Sequence, residues 1–285
     1  MRLASFSVRG RPACGALVDD GLVDLGARLP NLQGGLRGLL ESTDFEDLAK
    51  LLAGARPDIA CADVEFLPVI PNPDKVLCVG INYVPHVAET GRDLPEKPVI
   101  FCRFGGSQTG HGQPLIRPAV SRMLDYEGEL AVVIGRRARH VEASRALEFV
   151  AGYTCFNDGS VRDWQRHSPQ FTPGKNFSKS GSMGPWLVTR DEIPDPTVLQ
   201  LETRVNGDIR QSASLDELIF SIPELIAYCS TFAELLPGDV IATGTPGGVG
   251  FARKPPVWLQ PGDVVEVEIP GVGLLRNPVC DETAE

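Results

Sequence analysis

From Lys75 onward the sequence breaks into short apolar runs, "VLCVGINY", "PVIFCRF", "ELAVVIG", "FVAGYTCFND", "LQLETRVNG", "DVIATGTP" and "DVVEVEI", parted by Gly, Pro and Asn. Runs this short, rich in Val, Ile and Phe and bounded by turn formers, predict strands. Few of the intervening stretches are long enough for a helix. The body of the chain is therefore expected to be β-rich, of mixed α+β class. The 30 glycines and 24 prolines among 285 residues supply the turns that such a body needs.

Residues 1–70 read as a small N-terminal α/β domain. "ACGALVDDGLVDLG" alternates around Asp20-Gly21, the pattern of a tight hairpin. "LRGLLESTDFEDLAKLLAG" repeats apolar residues at helical spacing and predicts one helix, ending at Gly54 before Pro57. "FLPVIPNPDK" then carries three prolines in ten residues, a stiff connector and the boundary to a larger domain over 71–285. There a helix is expected over "SLDELIFSIPELIAYCSTF", opened by a capping box of Ser214 and Glu217 and kinked or split at Pro223.

A formal charge of −10 argues against nucleic acid or an anionic membrane as partner, since phosphate binding rests on clustered Lys and Arg. The one dense basic run, Arg136 to His140, directly follows a strand and reads as a solvated turn. No stretch approaches the ~20 apolar residues of a membrane helix, and the N-terminus lacks the apolar core of a signal peptide. A soluble, cytoplasmic protein is expected. Seven scattered cysteines, none in a C-x-x-C pair, predict reduced core thiols rather than a disulfide framework or a zinc ribbon.

"LDYEGELAVVIG" sets Glu127 and Glu129 on either side of Gly128 at the mouth of an apolar strand. Side chains at i and i+2 share a face, so the two carboxylates can converge, with Gly128 opposite. At ~5 Å and an effective dielectric of ~20 they repel by roughly 3 kcal/mol, which solvent, a raised pKa or a cation must relieve. Taken alone, the pair also fits a solvated strand edge. Asp158, closing "FVAGYTCFND", adds a third carboxylate. An all-oxygen set suits a hard cation, Mg²⁺ first, with Mn²⁺ or Ca²⁺ also fitting.

"NYVPHVAE" places His86 and Glu89 at i and i+3 just after Pro85, where a carboxylate can orient an imidazole as a general base. Lys175 follows a Pro-Gly turn, and Arg162 and Gln165 lie one turn beyond Asp158, donors that could reach substrate oxygens. "TGTPGGVG", Thr243 to Gly250, offers unhindered backbone N–H groups, a cradle for a carboxylate or phosphate. It matches neither the Walker pattern nor G-x-G-x-x-G. "GGSQTG" around Ser107 misses the nucleophile elbow, which disfavours a serine esterase.

Taken in order, "GINYVPHVAE", "DYEGELAVVIGR", "AGYTCFND…RDWQ", "GKNF…GPWLVTRDEIPDP", "VNGDIRQ…LIFSIPELIAY" and "PGDVIATGTPGGVG" resemble the fumarylacetoacetate hydrolase family over about Lys75 to Val279. The opening unit resembles the small N-terminal domain of longer members. The resemblance implies a mixed β-sandwich roll, usually a homodimer, with a divalent cation held by Glu127, Glu129 and Asp158. It implies a lid dyad of His86 and Glu89, Lys175 facing the substrate, and Arg162, Gln165 and Thr245 contacting the substrate or supporting the site. Two departures stand out. Many relatives carry Lys-Pro where this chain has Arg103-Phe104, and a hydrophobic residue at Gly159, which implies a different pocket wall.

The expected activity is metal-dependent hydrolysis of a carbon-carbon bond in a small 2,4-dioxo acid: an acylpyruvate, fumarylpyruvate or a diketo-deoxy sugar acid. The same site would serve decarboxylation, tautomerisation or isomerisation of a β-keto or unsaturated 2-hydroxy acid. A non-catalytic cation-binding protein is the third reading, against which the dyad and Lys175 count.

Overall fold

The computed structural model describes residues 1–283. Its spine is a 12-stranded sheet. The main path runs Ile59–Ala60, Gly21–Asp24, Arg11–Val18, Arg2–Val8, Gly181–Thr189, Val150–Asn157, Gly128–Ile134, Val240–Ala242, Val76–Gly80, Val99–Arg103. Strand Arg2–Val8 pairs antiparallel with Gly181–Thr189, so the opening strands continue the sheet of the later ones. A 5-stranded sheet, Asp208–Ser214, Gln200–Val205, Val264–Ile269, Gly273–Asp281 and Leu115–Arg117, packs against one face of the spine.

Central strand Gly128–Ile134 is buried along its whole length. Leu130, Val132 and Ile134 pack with Leu201, Val267 and Ile269 of the smaller sheet and with Leu225 and Ile226 of helix Ile222–Phe232. Ala131 and Val133 point the other way, into a core that includes Leu3, Leu36 and Leu39 from the opening segment. Dry on both faces, the strand reads as an unbroken apolar run instead of alternating. Each such side chain contributes roughly 1.5–3 kcal/mol by leaving water.

Three local expectations shift. The hairpin forms one residue earlier than Asp20-Gly21: Val18 pairs with Gly21, and Asp19-Asp20 make the turn, Asp19 with φ 49°. The single helix expected up to Gly54 is two, Gly35–Ser42 and Phe45–Leu52, because Asp44 caps the second by accepting from the Glu46 N–H at 2.8 Å. The Ser214–Glu217 capping box closes only a 3-10 turn, Leu215–Glu217. Pro223 lies in the first turn of the separate helix Ile222–Phe232, which has its own capping box at Ser221 and Glu224.

All seven cysteines are free, and Cys14, Cys78, Cys155 and Cys229 are buried. Burial pushes the Cys155 thiol up to about 12, so it acts as packing. Among the described residues no helix is long and apolar enough to cross a membrane.

Gly128 explains how a pair of glutamates can flank this strand. A Cβ there would lie 1.9 Å from Thr203 Oγ1 and 3.3 Å from Val267 Cγ2, so the smaller sheet can approach only because position 128 has no side chain. Gly128→Ala is expected to cost about 1–3 kcal/mol, as overpacking does. Thr203→Ala in the same chain should recover most of it, a coupling that urea unfolding of the two single variants and the double variant would measure. Equal losses with and without Thr203 would rule out the clash.

Candidate active site and metal centre

Sheet register gathers the site at one end of the spine. Gly128 pairs with Asn157 and Glu129 with Phe156, which sets the start of one strand beside the end of its antiparallel neighbour. Glu127, Glu129 and Asp158 thereby meet across about 30 residues of sequence, and the Asp158 N–H donates to the Glu127 carbonyl at 2.8 Å. Strand Val240–Ala242 runs antiparallel to Gly128–Ile134 and parallel to Val76–Gly80. The segments leaving those two strands, the Gly-rich loop and helix Val84–Thr90 with His86, therefore emerge at the same end. Lys175 ends the short helix Thr172–Lys175, which lies close against Arg162–Gln165; a Cβ on Gly174 would sit 2.4 Å from the Gln165 backbone nitrogen.

The three carboxylates are all buried, and one oxygen from each lies within 4.8 Å of the others. Lys175 Nζ donates to Glu127 Oε2 at 2.7 Å and Asp158 Oδ2 at 2.6 Å. Arg162 Nη1 is 2.6 Å from Glu127 Oε1, and Arg103 Nη1 is 2.5 Å from Asp158 Oδ1. Burial alone would lower the Lys175 pKa, but Asp158 and Glu127 outweigh it and hold the ammonium above its ordinary value. Burial alone would raise Glu127, yet the charges of Arg162 and Lys175 pull it well below the carboxylate range.

Glu129 has no such partner. Among the described residues its carboxylate takes part in no ion pair, and its hydrogen bond comes from the Gly244 N–H at 2.9 Å. Burial, and then the charges of Asp158 and Glu127, push its pKa well above the usual value. An ionised carboxylate this dry is costly unless a cation faces it. The trio therefore fits a hard divalent cation by its oxygen donors and by the one charge that the protein leaves unbalanced.

His86 Nδ1 lies 2.8 Å from Glu89 Oε1. A carboxylate oxygen accepts, so Nδ1 carries a proton toward Glu89, which leaves Nε2 as the ring nitrogen available for proton exchange. Glu89 Oε2 in turn accepts from the Gly248 N–H at 2.8 Å. The Gly-rich loop is thus a carboxylate cradle, but for the protein's own groups: its N–H donors go to Glu129 from Gly244, to Glu89 from Gly248, and to Asp125 from Gly250. Thr245 is occupied likewise, its hydroxyl donating to the Gly128 carbonyl at 3.0 Å and accepting from Gln211 at 2.8 Å.

His86, Glu127, Glu129, Asp158, Arg162, Gln165, Lys175 and Thr245 all line one cavity of about 830 Å³. Glu89 stands behind His86 rather than in the wall. Arg103, read from the sequence as part of that wall, is instead buried behind Asp158. Its guanidinium binds Asp158, the Gly159 carbonyl at 2.8 Å and Ser180 Oγ at 2.9 Å, while Phe104 points to solvent. Gly159 is needed where it stands, since a Cβ would meet the Ser180 carbonyl at 1.8 Å. Asp125 was not singled out by the sequence. Fully buried, it accepts from Arg162 Nε at 2.8 Å and from the Gly250 and Phe251 N–H groups, tying the arginine to the loop. Its place two residues before Glu127, at the end of the short strand Leu124–Asp125, was the available signal.

Comparison with known proteins agrees with this geometry. The family model for the fumarylacetoacetate (FAA) hydrolase C-terminal region matches residues 75–280. The chain is 42% identical over 265 residues to the mitochondrial oxaloacetate tautomerase Fahd2a of Rattus norvegicus, covering 92% of this chain and 85% of that protein. Among solved structures, 5-carboxymethyl-2-hydroxymuconate delta-isomerase from Mycobacterium smegmatis superposes with a TM-score of 0.78 at 35% identity, covering 100% of both chains. Maleylpyruvate hydrolase from Sphingobium sp. SYK-6, solved with manganese(II) and pyruvate, gives a TM-score of 0.81 at 30% identity, covering 99% of this chain and 100% of that one. Motifs, sheet register and these similarities agree: the chain belongs to the fumarylacetoacetate hydrolase family.

Proposed function

We propose that this protein catalyses keto-enol proton transfer in a small 2-oxo diacid of the oxaloacetate type, with a divalent cation, Mg²⁺ or Mn²⁺, held by Glu127, Glu129 and Asp158. The observation that carries the reading is the opening of an oriented imidazole and a three-carboxylate cluster onto one cavity. When bound, the cation supplies Lewis-acid polarisation of the 2-oxo group. His86 Nε2 takes a proton from one tautomer and returns one to the other. Going from enol to ketone, the oxygen on C2 loses a proton, C3 gains one, and no atom is lost. Glu89 holds the ring and stabilises the imidazolium that forms in between. Lys175 keeps an ammonium beside the carboxylates, where the negative charge of the enolate would develop.

Tautomerisation is preferred to the hydrolysis favoured by motif reading because the similar rat protein, matched over most of this chain, is named as a tautomerase. Carbon-carbon hydrolysis of an acylpyruvate is the second reading, supported by the same dyad, which could deprotonate a water, and by the likeness to maleylpyruvate hydrolase. A homodimer in the cytoplasm remains the proposed setting.

The test follows decay of the enol absorbance of oxaloacetate and of acylpyruvates, with Mg²⁺ and with a chelator, and identifies the products. Enol loss with carbon count unchanged supports tautomerisation. An acid released together with pyruvate would establish hydrolysis instead, and chelator-insensitive turnover would remove the cation from the reading.

A further inference from the structure

Resting on the reading of this cavity as the active site, we infer that Ile81 is a specificity-determining residue, held in a strained left-handed backbone so that its side chain packs against the carbon skeleton of the substrate. Ile81 lines the cavity, half-buried, where strand Val76–Gly80 ends and the chain turns toward His86. Its φ is 60°. A β-branched residue is poorly suited to that region, because its Cβ substituents crowd the backbone. The other non-glycine residues described with positive φ, Arg9, Asp19, His140, Lys179 and Asn206, are all unbranched at Cβ.

Gly80 makes the choice of residue at 81 plainer. It closes the strand, pairs with Val99 and lies outside the left-handed region. A Cβ there would meet Phe171 Cε2 at 3.5 Å, Val99 Cγ1 at 3.6 Å and Phe101 Cε1 at 3.7 Å, all ordinary contacts. Backbone sterics alone therefore favour the reverse order, a side chain at 80 and glycine at 81. The chain carries the costly order, which leaves room beside Phe101 and sets an isoleucine in the cavity wall. Strain that persists at such a place points to use of the side chain.

The neighbours on either side impose the conformation. Asn82 is buried, and its Nδ2 donates to the Thr243 carbonyl at 2.7 Å and the Phe220 carbonyl at 3.0 Å. Its Oδ1 accepts from the Phe220 N–H at 2.7 Å, and its carbonyl accepts from the Ile219 N–H at 2.8 Å. With residue 82 clamped in this way and residue 80 held by the sheet, residue 81 must absorb the turn.

The apolar wall begins directly beside the carboxylates. Lys175 Nζ, bound to Glu127 and Asp158, lies 5.0 Å from the Phe101 centroid. A 2-oxo acid with its oxygens toward Lys175 thus turns the carbons beyond the oxo group toward Phe101, Gly80 and Ile81.

The test compares two ligands by calorimetry with Mg²⁺: 2-oxobutyrate, and oxalate, which offers similar oxygen donors with no carbons beyond them. Ile81→Gly should weaken 2-oxobutyrate by roughly fourfold for each of its two outer carbons, up to about fifteenfold, and leave oxalate within about twofold. Relief of the strained φ offsets the lost packing, so Tm should stay within about 4 °C of the parent. Ile81→Asn, which tolerates the left-handed backbone without the entropy cost of glycine, should give the same split. Unchanged affinity for 2-oxobutyrate in both variants, or no binding of it by the parent, would overturn the inference. A fall in Tm of about 10 °C with both ligands weakened alike would show that Ile81 serves the fold only. Oxaloacetate turnover by the parent is followed in parallel. Its absence with the split intact would sink the proposed reaction and leave the role of Ile81 standing.

Discussion

Exchanging Glu129 for glutamine is expected to stabilise the chelator-treated protein while sharply lowering activity and removing the stabilisation that Mg²⁺ is expected to give the parent. The two halves of this result have one cause. Glu129 is buried, accepts from the Gly244 N–H and, among the described residues, makes no ion pair. Without a bound ion its ionised form is disfavoured, and glutamine of the same shape removes that cost at every pH where the carboxyl would otherwise ionise. With the ion present the same charge becomes a ligand, and its removal should lower kcat/KM by roughly 10²–10³, the scale of losing one electrostatic contact to a transition state. Thermal melts with Mg²⁺ and with chelator read both signs. A lower Tm for Glu129→Gln under chelator would show that the carboxylate serves the fold and not a cation.

The pH dependence of the metal-free protein follows from the same group. A carboxyl whose folded pKa is raised binds more protons folded than unfolded, so its favourable contribution is complete below the unfolded value near ~4.3 and is lost as pH rises through the folded value. Glu129→Gln should flatten that decline.

His86→Ala should lower kcat by about 10²–10⁴, the range for removing a general acid–base, while cation binding stays intact. Among the described residues the imidazole's hydrogen-bond partner is Glu89 at 2.8 Å, not one of the three carboxylates of the cluster. Glu89→Gln keeps the shape but would let the ring adopt the other tautomer, with a smaller loss of about 10–100-fold. Rates with Mg²⁺ at saturation, set beside cation affinity by calorimetry, separate proton transfer from metal loading. A His86→Ala enzyme with kcat unchanged would assign the proton to another group.

Much of this candidate site was legible in the chain because its carboxylates and dyad are local patterns: Glu127 just before strand Gly128–Ile134 and Glu129 within it, His86 and Glu89 one helical turn apart. What escaped was long-range. Arg103 grips Asp158 from 55 residues away, and no spacing rule connects them. Asp125 is fixed by backbone groups 125 residues downstream, so its role depends on the parallel return of a strand that the sequence does not announce. The split of the first helix was readable: Asp44 followed by Glu46 and Asp47 is an N-cap with an acidic first turn, hidden by apolar periodicity that continues across it.

The Gly-rich loop has one further consequence. Because Gly244, Gly248 and Gly250 each hold a different carboxylate of the site, no single insertion there can retune one function while sparing the rest. A shift of that one backbone segment is therefore expected to disturb the His86–Glu89 dyad, the carboxylate cluster and the anchor of Arg162 together.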